Sequence, residues 1–149
     1  MGRSRGGLTT KIHAVVDAQG LPIHIKLSEG RRHDGASAAD MLGLLGTGCM
    51  LLADRGYDSN ALREKVISQG GYANIRPRSN RVDPPVFSPF AYKLRNRVER
   101  FFNKLKHYRA IATRFDRHDA NFMASIKLAA IRIWMRFNES VNAVQNFED

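Results

Sequence analysis

Apolar and polar positions alternate or cluster differently along the chain. Strand and helix signals interleave up to residue 76, a proline-rich break follows, and helical periodicity takes over beyond residue 90. Residues 8–17 (LTTKIHAVVD) are rich in β-branched side chains and read as a strand. Asp17-Ala18-Gln19-Gly20 is a turn signal, and residues 21–28 (LPIHIKLS) alternate apolar and polar, which predicts an antiparallel partner. A loop over 30–35 leads to a helix over 36–45, with Asp34 or Ser37 as its cap. The fully apolar run 49–53 (CMLLA) fits a buried parallel strand that ends at Asp54. Asp58 reads as the N-cap of a helix over about 59–69, which Gly70-Gly71 terminates. Residues 72–76 (YANIR) fit a last short strand. Four prolines make 77–90 a loop. A helix follows over about 91–107, and Asp119 can cap another over about 120–145, where Phe122, Ile126, Ala129, Ile133 and Phe137 recur at helical spacing. The order is β-β-α-β-α-β-loop-α-α. It predicts an α/β (α+β) fold with a mixed sheet and helices on its faces.

At 149 residues and 43% hydrophobic content, the chain is long enough for one domain with a core of its own over residues 1–149. Its single cysteine, Cys49, excludes an internal disulfide and points to a reducing compartment; its apolar surroundings predict a small buried side chain. One Cys and five scattered His argue against structural zinc. The start MGRSRGGLTTK lacks the apolar stretch of a signal peptide, and Lys127, Arg132 and Arg136 interrupt the most hydrophobic C-terminal stretch. A cytoplasmic protein without a membrane span is expected. The GRSRGG start has no strand before it, so it reads as a flexible basic lead-in and not as a phosphate loop. Trp134 and its aromatic neighbours read as core.

Charge sharpens the picture. The net charge is +10, and residues 91–117 alone hold nine Lys or Arg against two acids, Glu99 and Asp116. A cationic segment this concentrated favours a polyanion, nucleic acid first, over a merely solvated face. Within it, Tyr92, Arg95, Glu99 and Lys106 read Y-x2-R-x3-E-x6-K. At ~100° per residue of α-helix they share a stripe roughly 60° wide. Beside it runs an apolar stripe (Leu94, Val98, Phe101, Phe102, Leu105) and then a basic one (Lys93, Arg97, Arg100, Lys104). Glu99 thus sits on a cation-covered helix next to a core-facing seam.

Asp54 ends a buried strand, and functional groups of open α/β sheets gather at the carboxyl ends of strands. A helix packing on that sheet could bring Glu99 beside Asp54. Two or three such carboxylates suit a pair of Mg²⁺ ions, whose chemistry serves phosphodiester displacement. Arg95 and Lys106 could then clamp phosphate, and Tyr92 could stack near the strand being cut. The plainer readings are a strand-end Asp54 and a Glu99 paired with Arg95 at i,i+4. His33-Asp34 fits a loop and helix cap better than a metal pair, and His107 fits an exposed helix histidine. Arg55 and Tyr57 flank Asp54 and could orient it or DNA. Arg109, Arg114 and Arg117 are further phosphate-contact candidates.

Three passages carry a resemblance: GRSRGGLTTKIHAVVDAQGLPIHIKLSEGRRHD (2–34), LLADRGYDS (51–59), and the Tyr92–Lys106 signature running into KHYRAIATRFDR. They resemble the catalytic core of DDE transposases of bacterial insertion sequences, in the family-5 branch of the insertion-sequence-4-like superfamily. The resemblance covers nearly the whole chain. It implies a ribonuclease-H-like fold, Mg²⁺ or Mn²⁺, double-stranded DNA as partner, and cleavage and transfer of DNA strands by a homo-oligomer. Asp54 would be the second catalytic Asp and Glu99 the catalytic Glu, both metal ligands, with Tyr92, Arg95 and Lys106 as accessory positions. The first catalytic Asp of such enzymes lies on a strand before residues 8–17, which this chain begins too late to contain; Asp17, in a hairpin turn, reads as a turn residue. The expectation is therefore an N-terminally truncated domain, its first strand missing, its two-metal site completed only by that Asp, and the isolated chain inactive. It would be a remnant or the partner of an upstream reading-frame product. The rival expectation is a non-catalytic DNA-binding fragment that regulates the full-length enzyme; a third, structured-RNA binding, lacks the exposed aromatic sheet of common RNA modules.

Overall fold

The computed structural model describes residues 2–4, 7–30, 38–114, 116 and 118–145. Strands β1 (Gly2–Ser4), β2 (Gly7–Val16) and β3 (Pro22–Glu29) form one sheet in the order β1-β2-β3. β4 (Met50–Ala53) and β5 (Tyr72–Ile75) form a second, parallel sheet. Among the described residues run the helices α1 (Asn60–Ser68), α2 (Pro89–Tyr92), α3 (Asn96–Lys106), α4 (Arg109–Ala112) and α5 (Asp119–Gln145), with a helical residue at Ala38 and 3₁₀ turns at Met41–Leu44, Arg55–Tyr57 and Lys93–Arg95. The α/β character follows the hydrophobic pattern. The single mixed sheet does not: among the described residues the two strand groups form separate ladders.

The residues group into two compact units, 1–13 with 28–96, and 14–27 with 97–149. The first has its core where α1 covers the parallel pair. Ala38, Leu42, Leu62, Val66, Ala73 and Ile75 are buried together, and Leu51, Ala53 and Tyr57 pack against them. α1 starts where expected, but its cap is Ser59, whose hydroxyl accepts the Leu62 N–H at 3.2 Å; Asp58 is used elsewhere. It stops at Gly70, whose φ of +73° suits a residue without Cβ, and the Gly71 N–H returns to the Val66 carbonyl at 3.0 Å.

The second unit is built on α5. Phe122, Ile126, Ala129, Ala130 and Ile133 are buried, with Phe101, Leu105 and Ile111 from α3 and α4. The hairpin turn contributes Leu21, and Asp17 Oδ1 accepts the N–H groups of Gln19 and Leu21 at 2.9 and 2.8 Å, which makes Asp17 the expected turn residue. Gly20, at φ +84°, lies against the Arg97 backbone, so a side chain there meets both strain and contact.

Several sequence expectations fail for local reasons. The helix expected over 36–45 lies partly outside the described residues, together with its cap candidates Asp34 and Ser37 and with His33 and Arg117; Ala38 is helical, and Met41–Leu44 winds as a 3₁₀ turn within a glycine-interrupted stretch. Residues 2–4 are a strand and not a flexible lead-in, because backbone pairing with β2 needs no side-chain pattern. Cys49 is exposed, since it precedes β4 and only its backbone joins the ladder, accepting from Tyr72 N at 2.9 Å. Trp134 is 37% exposed; its indole N–H donates to the Pro22 carbonyl at 3.0 Å, so it sits at the rim of the α5 core face.

Candidate active site

The parallel register pairs Met50 with Tyr72 and Ala53 with Ile75, and the ladder continues with the Arg76 N–H on the Ala53 carbonyl at 3.1 Å. Asp54 and Arg76 therefore leave the sheet side by side at its carboxyl end. Asp54 remains extended (φ −80°, ψ 175°), and its Oδ1 accepts the Gly56 N–H at 2.9 Å, starting the 3₁₀ turn. That bond fixes one oxygen. The other, Oδ2, faces Arg95 Nη1 at 4.0 Å, and the Asp54 side chain stays 45% exposed. The geometry is a held carboxylate with a loosely paired oxygen open to solvent.

Arg95 and Tyr92 arrive through a buried amide. Asn74 on β5 is fully buried; its Nδ2 donates to the Ser88 carbonyl at 3.0 Å and its Oδ1 accepts the Ser88 N–H at 2.8 Å. The side chain thus pairs with the proline-rich loop as a strand would. Ser88 then caps α2 by accepting the Ala91 N–H at 3.3 Å, and Pro89 occupies the first turn, where its missing N–H costs nothing. The Tyr92 ring stands edge-on to Phe87 (5.2 Å between centroids) and carries the Arg95 guanidinium at 5.4 Å. Asp54, Arg55, Gly56, Arg76 and Tyr92 line an open cleft of about 380 Å³.

Two networks hold this site. Asp58, with a fully buried side chain, binds Arg63 Nη2 at 2.8 Å and Arg81 Nε at 2.6 Å, and accepts the Arg78 N–H at 2.9 Å. Arg63 also donates to the Ala73 and Ile75 carbonyls at 3.2 and 2.8 Å, tying the cluster to β5. Burial pushes the Asp58 carboxyl up, but the bonds from Arg81, the Arg78 N–H and Arg63, with the Arg63 charge, outweigh it and bring the pKa from 3.8 down to about 2. Second, buried His13 meets the Tyr57 hydroxyl through Nδ1 at 3.0 Å and the Ser28 hydroxyl through Nε2 at 2.7 Å. Tyr57 closes the turn that begins at Asp54.

Of the motif residues, the first unit brings together Asp54, Tyr92 and Arg95, with Lys93 exposed nearby in the chain. Residues 92–95 pass from α2 into a 3₁₀ turn, which advances ~120° per residue, so the stripe counted at ~100° does not run unbroken. Leu94, counted in the apolar seam, is consequently 52% exposed. In the second unit, α3 keeps the seam: Phe101 and Leu105 are buried, Val98 and Phe102 half-buried. Glu99 is exposed in its first turn and Lys104 and Lys106 in its last, each on the side of the helix dipole that favours its charge. Arg97 is half-buried and Arg100 and Arg109 are exposed. Arg114, at φ +46°, pairs with Asp119 at 2.7 Å and lies over the Phe122 ring at 5.0 Å. Among the described residues no three His, Cys, Asp or Glu side chains gather closely enough to hold a metal ion. Sequence reasoning missed Arg76, Asn74 and the double role of His13; the only signal for Arg76 is its place just after the short strand YANIR.

Comparison with known proteins settles the family. The Transposase DDE domain matches twice, once over residues 2–83 and in a second form over residues 51–136. A Brucella ovis protein named as a transposase for insertion sequence element IS6501 is 42% identical over 131 residues, covering 87% of this chain and 100% of its own length. The chain belongs to the DDE transposases of insertion sequences. No solved structure matches it. The two domain matches overlap over residues 51–83, which include Asp54 and the turn that follows it. Among the described residues no helix of the transposase is long and apolar enough to cross a membrane.

Proposed function

We propose that this transposase catalyses divalent-metal-dependent cleavage and transfer of DNA strands, with Asp54 and Glu99 as two of its catalytic carboxylates. The observation that supports this most is Asp54 itself. It is held at the carboxyl end of a parallel strand, half-exposed, with one oxygen fixed by a backbone N–H and the other opening onto a cleft. The DDE family uses divalent metal, and carboxylate oxygens are the hard donors that Mg²⁺ or Mn²⁺ takes. Asp54 Oδ2 and the exposed Glu99 fit that donor type, while the described residues present no assembled group of three ligands. When bound, the metal would supply activation of the attacking oxygen and stabilisation of the leaving one.

This chain's residues supply the rest. Arg95 guards Asp54 Oδ2 and offers its guanidinium to the scissile phosphate, Tyr92 presents a ring face to an unpaired base, and Lys106 adds a cation on α3. Asp58 stands outside this chemistry, because its carboxylate is committed to two arginines and a backbone N–H. The ribonuclease-H-like architecture and action as a homo-oligomer belong to the same reading. Incubation with DNA carrying the ends of the encoding element, with Mg²⁺ or Mn²⁺, tests it. Nicked or joined products that vanish in Asp54→Asn and Glu99→Gln support the assignment; products that survive both substitutions sink it.

A second reading rests on the basic residues Lys93, Arg97, Arg100, Lys104 and Arg109. They could bind double-stranded DNA without any catalytic step, as a regulator of a full-length transposase. Metal-independent duplex binding with no cleavage under any divalent ion would favour it.

A further inference from the structure

We propose that the cleft beside Asp54 is a phosphate-holding subsite for the DNA backbone, and that Arg76 is the residue that carries it. The inference rests on the reading of Asp54 as catalytic and adds a residue that neither the motif nor the family match assigns.

Position comes first. The β4–β5 register and the Arg76 N–H on the Ala53 carbonyl place the Arg76 backbone next to Asp54. Adjacent parallel strands lie ~4.8 Å apart, so an Arg side chain starting there reaches whatever occupies the space in front of the carboxylate. That backbone is fixed on both sides, by the ladder bond before it and by the Arg78 N–H on Asp58 two residues later.

Electrostatics comes second. Arg63 and Arg81 are engaged by Asp58, whereas Arg95 is shared between Asp54 and the Tyr92 ring, so Arg76 would add a second phosphate donor beside it. Arg76 is exposed on the cleft wall, and among the described residues no ion pair or hydrogen bond engages its guanidinium. Arg55, also exposed, lines the same cleft. Two guanidinium groups against one carboxylate leave the cleft cationic where a catalytic carboxylate would otherwise repel a phosphodiester. A guanidinium offers two parallel N–H donors matched to phosphate oxygens. The cleft volume of about 380 Å³ suits a ligand the size of a nucleotide unit.

Arg76 in this role positions the backbone and reads no sequence, which gives it a distinct signature. The experiment is fluorescence anisotropy of the full chain with labelled duplexes of two unrelated sequences, from about 50 to about 200 mM salt. Arg76→Gln should reduce the slope of log affinity against log salt by about one, and weaken binding about three- to fivefold on both duplexes alike. Arg76→Lys should keep the slope and lose part of the affinity, since a point charge cannot make the paired bonds. Arg132→Gln, an exposed charge on α5, measures what any lost cation does. An Arg76→Gln slope equal to that of wild type or of Arg132→Gln overturns the assignment while leaving Asp54 untouched. A wild-type chain that binds no duplex even at low salt overturns the DNA-acting reading as well. Because Arg76 is exposed, the variants should melt with wild-type cooperativity, and a circular dichroism melt verifies that each is folded.

Discussion

Asp54 and Asp58 stand four residues apart, on either side of one 3₁₀ turn, and have opposite fates. Asp58 is fully buried, binds two arginines and a backbone N–H, and is held near pKa 2. Asp54 is 45% exposed and has one backbone bond and one long ion pair of 4.0 Å. The chemistry of the side chain is the same; the surroundings decide whether the charge is spent on structure or left for a ligand. A carboxylate engaged by several strong donors gains nothing from binding a metal or a phosphate-facing cation. One whose second oxygen is loosely paired can exchange that partner at little cost.

The contrast can be broken most forcefully at Asp58. Asp58→Asn leaves the buried Arg63 uncompensated and should cost about 3–5 kcal/mol in urea unfolding. Asp54→Asn should do the reverse: stability within about 0.5 kcal/mol of wild type, because an amide oxygen still accepts the Gly56 N–H, but DNA cleavage down about 10²-fold or more. Equal destabilisation in the two variants would erase the distinction. Asn74→Ala removes both bonds to Ser88 from a fully buried site and should cost about 2–3 kcal/mol, with a loss of order around Tyr92 and Arg95 visible as faster amide exchange over residues 86–95.

Acid should expose the role of Asp58 as well. The Asp58 pKa falls on folding from 3.8 to about 2, so the unfolded chain binds the proton more readily. Its contribution, about 2 kcal/mol, is complete above pH ~4 and is lost as pH falls through about 2. Urea midpoints followed from pH 5 downward should drop across that window, and less steeply in Asp58→Asn. The smallest effect belongs to the cap between them in function: Ser59→Ala should cost about 1 kcal/mol through α1 and leave DNA binding unchanged.

Much of this was legible in the residues. β-branched content and alternation located β2 and β3, and the 3.6-residue recurrence from Phe122 to Ile133 located the α5 core face; the apolar run located β4 as a parallel strand, but as a half-buried one with Met50 exposed, not the buried strand expected. Asp54 at a strand end was visible because strand and turn signals abut there. The cap of α1 was misread by one position, since Asp58 and Ser59 are both good caps and only packing shows that the arginines claim the aspartate. The helix count failed at residues 92–95, where a 3₁₀ turn replaces α-helix and exposes Leu94, a choice that no local propensity records.

The sequence by itself determined the family, the kinds of element and the cationic C-terminal segment, because these depend on composition, motif and spacing along one chain. Tertiary structure alone decided which aspartate is buried, which arginine stands beside Asp54, and how Asn74 delivers Tyr92 and Arg95. Those facts depend on strand register and on contacts between residues 14 to 44 positions apart, and nothing in local periodicity specifies which distant partner a side chain will meet.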